Sequence, residues 1–388
     1  MTNLSHYQSS HNLGKVAIIG GGVIGCFLAY RLSKEGVPVV IIERRGVASE
    51  ASGWSAGNVQ PATRTYGQFQ IDMGAESLAA FRRWLPEIKE ESGRDIRDQK
   101  IRYLYAAMNE DEVQDTQVFA QELSEAKLRV EWIDAKAARE LDSRLSPGLL
   151  GGMLHSDCIQ MDPYMFTNAL AVASRHNGAR LINDEAIGLE FLHDRITGVK
   201  LSGGDVVHCD TVVLAMGAWS GQAIKKWLNV SLPIGPHALQ KLHLRPKGPR
   251  LGCAVRWMGT NMVHRSDGLM HLGSKHDDTG FDARPTNDGK EWLLERVHKI
   301  FPSLKFTIEE AGAGCGASTP GRVPILGPVG LADGVFVSVA STNGFLLSAF
   351  MSDVLTELLV HRHVHTLLPE LTSDQAIRRS ADPQLKDI

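Results

Sequence analysis

Apolar runs and apolar stripes take turns along the first part of the chain. Residues 15–19 (KVAII) form a short β-branched run, GGGVIG follows, and FLAYRLSKEG sets Phe27, Leu28 and Leu32 at helical spacing before Gly36. VPVVIIE is a second unbroken apolar run, the pattern of a strand buried on both faces, so the segment predicts strand, glycine turn, helix and strand. Leu78, Phe81, Leu85 and Ile88 recur at intervals of three and four, which predicts an amphipathic helix from Ala75 to about Glu91. Further on, YLYAAM predicts a strand, DEVQDTQVFAQELSEAKLRV a charged helix, and AKAARELDSRL a short helix beginning after Asp134.

Another helix is expected from Asp162-Pro163, stopped by Gly178, after which ARLIN, AIGLEFLHD, RITGVKLSGG and VVHCDTVVLAMG read as strands joined by turns. The last of these is apolar up to Gly217, as a central strand returning to the first sheet would be. Residues 232–273 read as successive strands and GKEWLLERVHKIFP as a helix; from Ala311 the chain turns glycine-rich before GVFVSVA and a terminal helix. This order predicts an α/β fold. A Rossmann-type dinucleotide-binding domain (15–90, 150–225 and 312–372) is interleaved with an α+β substrate domain built on an antiparallel sheet (91–149 and 226–311). Flexible termini are expected at 1–14 and 373–388.

Composition narrows the class. With 388 residues, 43% hydrophobic and 22% charged, the chain reads as an ordinary globular protein. A formal net charge of −3 offers no positive field for phosphate backbones, so nucleic acid is not an expected partner. The first fourteen residues lack the order of an export signal, and no apolar run was expected to reach the roughly 18 residues of a spanning helix. The expected location is the cytoplasm, with a peripheral position at the inner face of the membrane left open. Cys26, Cys158, Cys209, Cys253 and Cys315 are scattered without CxxC spacing, so neither a disulfide framework nor a metal site is expected.

The chemistry begins at Gly20, Gly22 and Gly25, a G-x-G-x-x-G between a predicted strand and a predicted helix, with Val23 and Ile24 inside it and Glu43 ending the next strand. The first glycine permits the tight turn, the second lets backbone approach a pyrophosphate, and the third lets helix pack on strand. The helix N-terminus then faces the phosphate charge, and Glu43 is placed to accept hydrogen bonds from the ribose. Glu43 would repel a 2′-phosphate, which leaves NAD or FAD.

Directly after Glu43 the chain reads RRGVASEASGWSAGNVQP, which resembles the RxxxxxxxSxxxxG loop of the D-amino-acid oxidase and dehydrogenase superfamily, including the glycine and sarcosine oxidases. TVVLAMGAWS (211–220), TPGRVPILGP (319–328) and VFVSVASTNGFLLSAF (335–350) are similar to further segments of that family, in the same order. The resemblance implies FAD as cofactor. It makes Arg44, Arg45, Ser49, Ser52, Ser55, Gly57 and Asn58 candidates for the flavin loop, and Gly217, Gly327, Asn343 and Gly344 candidates for close backbone approach. It also implies oxidation of the C–N bond of a small amine or amino acid (D-amino acid, glycine-like or N-substituted) by hydride transfer to flavin N5. Two alternatives stay open: a flavin-dependent hydroxy-acid or alcohol oxidoreductase, and a subunit of a heteromeric flavoprotein. Oxygen, a quinone or a partner protein could take the electrons.

The chain departs from the family where Gly316, in CGASTP, stands in place of a carboxylate-binding arginine. Arg265 is the expected replacement, and His264 and His271 on the same predicted hairpin are candidates to bind substrate or accept a proton. Some relatives bind FAD covalently through a cysteine just before the TP dipeptide; Cys315 lies one position off.

Overall fold

The computed structural model describes residues 13–61, 67–330, 332–341 and 343–382. One sheet has six strands in the order Ile325–Pro328, Val335–Val339, Thr211–Leu214, Val16–Ile19, Val39–Ile42 and Arg180–Ile182. Neighbours run parallel except the first pair. Val16–Ile19, Val39–Ile42, Thr211–Leu214 and Val335–Val339 are buried throughout, which explains their unbroken apolar sequences. The strand ending before Gly217 lies beside Val16–Ile19 at the centre, as its pattern required. Helices Val23–Lys34, Gln68–Ser92, Pro163–His176 and Gly344–His361 pack on one another, with Phe27, Phe81, Phe166 and Phe345 meeting ring to ring.

A second, nine-stranded sheet runs in the order Phe306–Ser318, Gly235–Pro246, Met270–Asp277, Thr260–His264, Ala254–Trp257, Gln99–Ala107, Gly151–Gln160 and Asn58–Val59, with Val130–Asp134 also on Gly151–Gln160. Its pairings are antiparallel apart from that between Ala254–Trp257 and Gln99–Ala107. Ala186–Leu192, Arg195–Leu201 and Val206–His208 form a separate meander. The chain crosses between the two large sheets repeatedly, so a cleft between them is lined from many parts of the sequence.

Several elements differ from expectation. Val130–Asp134 and Gly151–Gln160 went unread because Gly, His, Ser and Asp residues obscure their alternation, and VVHCDTVVLAMG is two strands separated at Cys209-Asp210. The expected borders at 149/150 and 311/312 miss the sheet edges, since Gly151–Gln160 and all of Phe306–Ser318 belong to the nine-stranded sheet. The glycines of AGAGCGAS therefore sit in a strand. A Cβ on Gly312 would overlap the Trp54 indole, and one on Gly314 would lie 3.1 Å from Ala51 Cα, so these glycines make room for the 44–61 loop.

The tail is ordered further than expected: Ser373–Ser380 is helical and Ala376 is fully buried. Residues 1–12 and 383–388, also expected to be flexible, lie outside the described residues. Gly344–His361, at mean hydropathy 1.3, is long and apolar enough to cross a membrane, which the sequence reading did not foresee. Its apolarity answers to burial instead, because it is 72% buried and packed against Val23–Lys34 and Gln68–Ser92.

Candidate active site

A cavity of ≈ 590 Å³ lies between the two large sheets. Its nucleotide side is built from backbone. Gly20 has φ +118°, and a Cβ there would overlap the Ala215 carbonyl; a Cβ on Gly25 would overlap the Gly20 carbonyl, so helix and strand meet only because both are glycine. A Cβ on Gly22 would lie 3.1 Å from Ser52 Oγ, and Val23 N–H donates to that same oxygen at 2.9 Å. Ser52 thus reaches across to the N-terminus of Val23–Lys34. Glu43 is fixed by backbone donors: Gly21 N–H at 2.7 Å, Arg45 N–H at 2.8 Å and Gly46 N–H at 3.3 Å.

Of the residues singled out in sequence, Gly20, Gly22, Val23, Ile24, Glu43, Arg44, Arg45, Ser49, Ser52, Ser55, Asn58, Gly217, Asn343 and Gly344 all line this cavity. Arg44 stacks over Trp219 and pairs with Glu185, Arg45 pairs with Glu50, and Ser55 Oγ accepts from Gly57 N–H. Gly25, Gly57 and Gly327 do not line it. Gly25 serves helix packing and Gly57 lets Met161 approach, whereas Gly327, in Ile325–Pro328, has φ +120°.

The opposite side is a face of the nine-stranded sheet, and there the expectations divide. His271 lines the cavity, and burial holds its imidazolium well below the usual range, so it is neutral. His264 and Arg265 are not on the cavity wall. Arg265 is half of a different construction, with Nη2 2.6 Å from Asp162 and 2.9 Å from Asp267, so it is already neutralised. His264 is buried with Nδ1 unpartnered, and burial lowers its pKa to about 4.

The residues that sequence reasoning missed are Arg256 and Lys241. Both line the cavity, and neither has a carboxylate partner among the described residues. Arg256 Nη1 donates to Asn261 Oδ1 at 3.3 Å; Tyr103 Oη donates to the same oxygen at 2.6 Å and accepts from Asn58 Nδ2 at 3.4 Å. One polar chain thereby ties the 44–58 loop to the arginine. Lys241 is buried and donates to the Trp54 carbonyl, and burial lowers its pKa to about 7. The overlooked signal was a lone cation inside the alternation ALQKLHL, where a two-sided apolar strand would carry none.

Residues 15–358 match the family described as DAO, FAD dependent oxidoreductase. The chain belongs to this family. Hydrogen cyanide synthase subunit HcnC of Pseudomonas aeruginosa is 25% identical, over 95% of this chain and 97% of its own length. Glycine oxidase of Pseudomonas putida is 25% identical over 89% of this chain and 94% of its length. The crystal structure of glycine oxidase from Geobacillus kaustophilus superposes with a TM-score of 0.85 at 25% identity, covering 93% of this chain and 98% of that one. FAD is the cofactor of the family, and the cavity of this FAD-dependent oxidoreductase fits it: side-chain-free turns face the helix N-terminus, and Glu43 stands beside them. Cys315 lines the cavity as a free thiol.

Proposed function

We propose that this FAD-dependent oxidoreductase oxidises the C–N bond of a small amine or amino acid. The supporting observation is Arg256, a cation without a carboxylate partner among the described residues, on the cavity wall across from the glycine cradle. Bound FAD supplies the hydride acceptor at N5. The chain's own residues then have three tasks. Arg256, held by Asn261 and Tyr103, binds a substrate carboxylate in place of the arginine missing at Gly316. His271, depressed by burial, is neutral near neutral pH and so does not oppose the cation that forms as the substrate carbon loses hydride. The nine-stranded sheet limits water at the reacting carbon until the imine leaves and is hydrolysed to a carbonyl compound and a free amine or ammonia.

The cofactor roles follow the same reading. Gly20, Gly22, Val23 and Ile24 receive the pyrophosphate, Glu43 the ribose, and the 44–58 loop with Gly217, Asn343 and Gly344 the flavin. The six-stranded sheet serves as the FAD-binding domain and the nine-stranded sheet as the substrate domain. The five free cysteines support a cytoplasmic location. One observation favours a second reading: a neutral His271 on the cavity wall is able to take a hydroxyl proton, as oxidation of a hydroxy acid requires.

Anaerobic mixing of the yellow protein with glycine, sarcosine, D-amino acids and the matching 2-hydroxy acids separates the two. Bleaching by amines alone supports C–N oxidation. Bleaching by hydroxy acids alone, abolished in His271→Asn, overturns it. Failure of every substrate until a second protein is added would assign the chain to a heteromeric enzyme.

A further inference from the structure

The cavity-facing side of the nine-stranded sheet carries an uninterrupted cross-strand row. Arg256 pairs with Asn261, Asn261 with Gly273, Gly273 with Lys241, and Lys241 with Gly312. Residues directly opposite on neighbouring strands point to the same face, so this row presents one long cation near each end and no side chain in the middle. Three strand spacings of about 4.8 Å separate the backbones of Arg256 and Lys241. The Lys241 stem leans over Gly273 with its amine on the Trp54 carbonyl, and Arg256 stands beyond Gly273 on Asn261, so the two cations flank one stretch of the cavity wall. The middle has to be glycine, because a Cβ on Gly273 would come within 2.7 Å of Lys241 Cγ and 3.1 Å of His271 Nε2.

The charge pattern is one-sided. Arg256 and Lys241 have no carboxylate partner among the described residues; neither has Arg322, a third cation on the cavity wall. Lys275 has its own acid, Asp277. His276, on the same strand as Gly273, is held to about 3 by burial and then by His237, Arg322, Arg256 and Lys241 together. A wall of cations without acids is complementary to a ligand carrying more than one negative charge.

We infer that the substrate is a doubly anionic amine, a dicarboxylate whose two carboxylates are received by Arg256 and Lys241 with the reacting C–N bond between them. The oxidation of such an amine rests on the reading under Proposed function; the recognition of two carboxylates does not. A single carboxylate on Arg256 would leave Lys241 buried with only the Trp54 carbonyl. A second carboxylate completes the site and draws Lys241 toward its ammonium form.

Binding and chemistry can be tested apart on the FAD-loaded protein. Malonate, succinate and glutarate are titrated against their monomethyl esters, following the perturbation of the flavin absorbance. At least one diacid is expected to bind about tenfold or more tightly than its own monoester, a difference of one charge-assisted contact. Arg256→Met and Lys241→Met should each bring that ratio to within about twofold, and Lys241→Arg should restore part of it. Lys241→Gln replaces the methionine variant if the latter does not retain FAD.

Equal binding of diacids and monoesters overturns the inference, as does a ratio that survives either variant. Bleaching by iminodiacetate and by glycine is compared in parallel. Selective diacid binding with no bleaching by any amine leaves the cation row standing and removes amine oxidation. Bleaching by glycine without any diacid preference removes the cation row alone.

Discussion

The two sides of the cavity are built by different means, which under the proposed function become two means of recognition. On the nucleotide side the work is done by backbone: absent Cβ atoms at Gly20, Gly22 and Gly25, the open N-terminus of Val23–Lys34, and Glu43 held by three N–H groups. The carboxylates lining the cavity there, Glu43, Glu50, Asp184 and Glu185, come with partners of their own. On the substrate side the work is done by long side chains standing on four neighbouring strands, and the unpaired charges are cations. A cofactor common to a whole family can be held by geometry that a short segment encodes, whereas a particular substrate needs side chains that can vary without disturbing the sheet beneath them.

The sharpest way to break this contrast is Gly25→Val. If the nucleotide side depends on backbone approach, the added side chain overlaps the Gly20 carbonyl and FAD retention, read as flavin absorbance per protein, falls on the order of 100-fold. Retained colour would mean that the cradle tolerates side chains and the contrast is false. Next in size is Arg265→Met. It leaves Asp162 without its cation and Asp267 with Arg97 alone, so the thermal or urea midpoint should drop by the equivalent of about 2 kcal/mol, while ligand affinity in the remaining folded protein stays within about twofold. Loss of affinity without loss of stability would return Arg265 to the substrate wall.

A pH series sharpens the electrostatic half of the comparison. Lys241 sits at about 7 folded against 10.5 unfolded, so between those values the unfolded chain binds more protons and stability rises with pH. His264, at about 4 against 6.5, makes stability fall as pH is lowered through that window. Each group contributes a slope of up to about 1.4 kcal/mol per pH unit. Lys241→Met should flatten the alkaline limb and His264→Leu the acid limb, both measurable as midpoint against pH. The smallest effect is expected from Arg45→Met, whose pair with Glu50 is largely exposed. Stability should change by less than about 0.5 kcal/mol and FAD affinity by less than about threefold, and a larger loss would show that side-chain cations also hold the nucleotide.

What was legible in the sequence follows the same division. The strand, glycine turn, helix and strand from Val16 to Ile42 share one short segment, so their periodicities and their chemistry appear together in the text. Gly151–Gln160 was missed because its burial is supplied by partners on both sides rather than by its own composition. Arg265 is the arginine the sequence singles out and Arg256 is passed over, because only packing against Asp162 and Asp267 shows that Arg265 is already neutralised.

By itself the sequence determined the α/β class, the dinucleotide cradle and the family, since each rests on residues within one turn or one strand-helix unit, where chain connectivity fixes the distance. Tertiary structure alone decided the wall proposed to receive substrate. Arg256, Asn261, Gly273, Lys241 and Gly312 come from five strands, and only strand register sets them in line. Register is a property of the assembled sheet, and a slip of one residue would turn every one of those side chains away from the cavity.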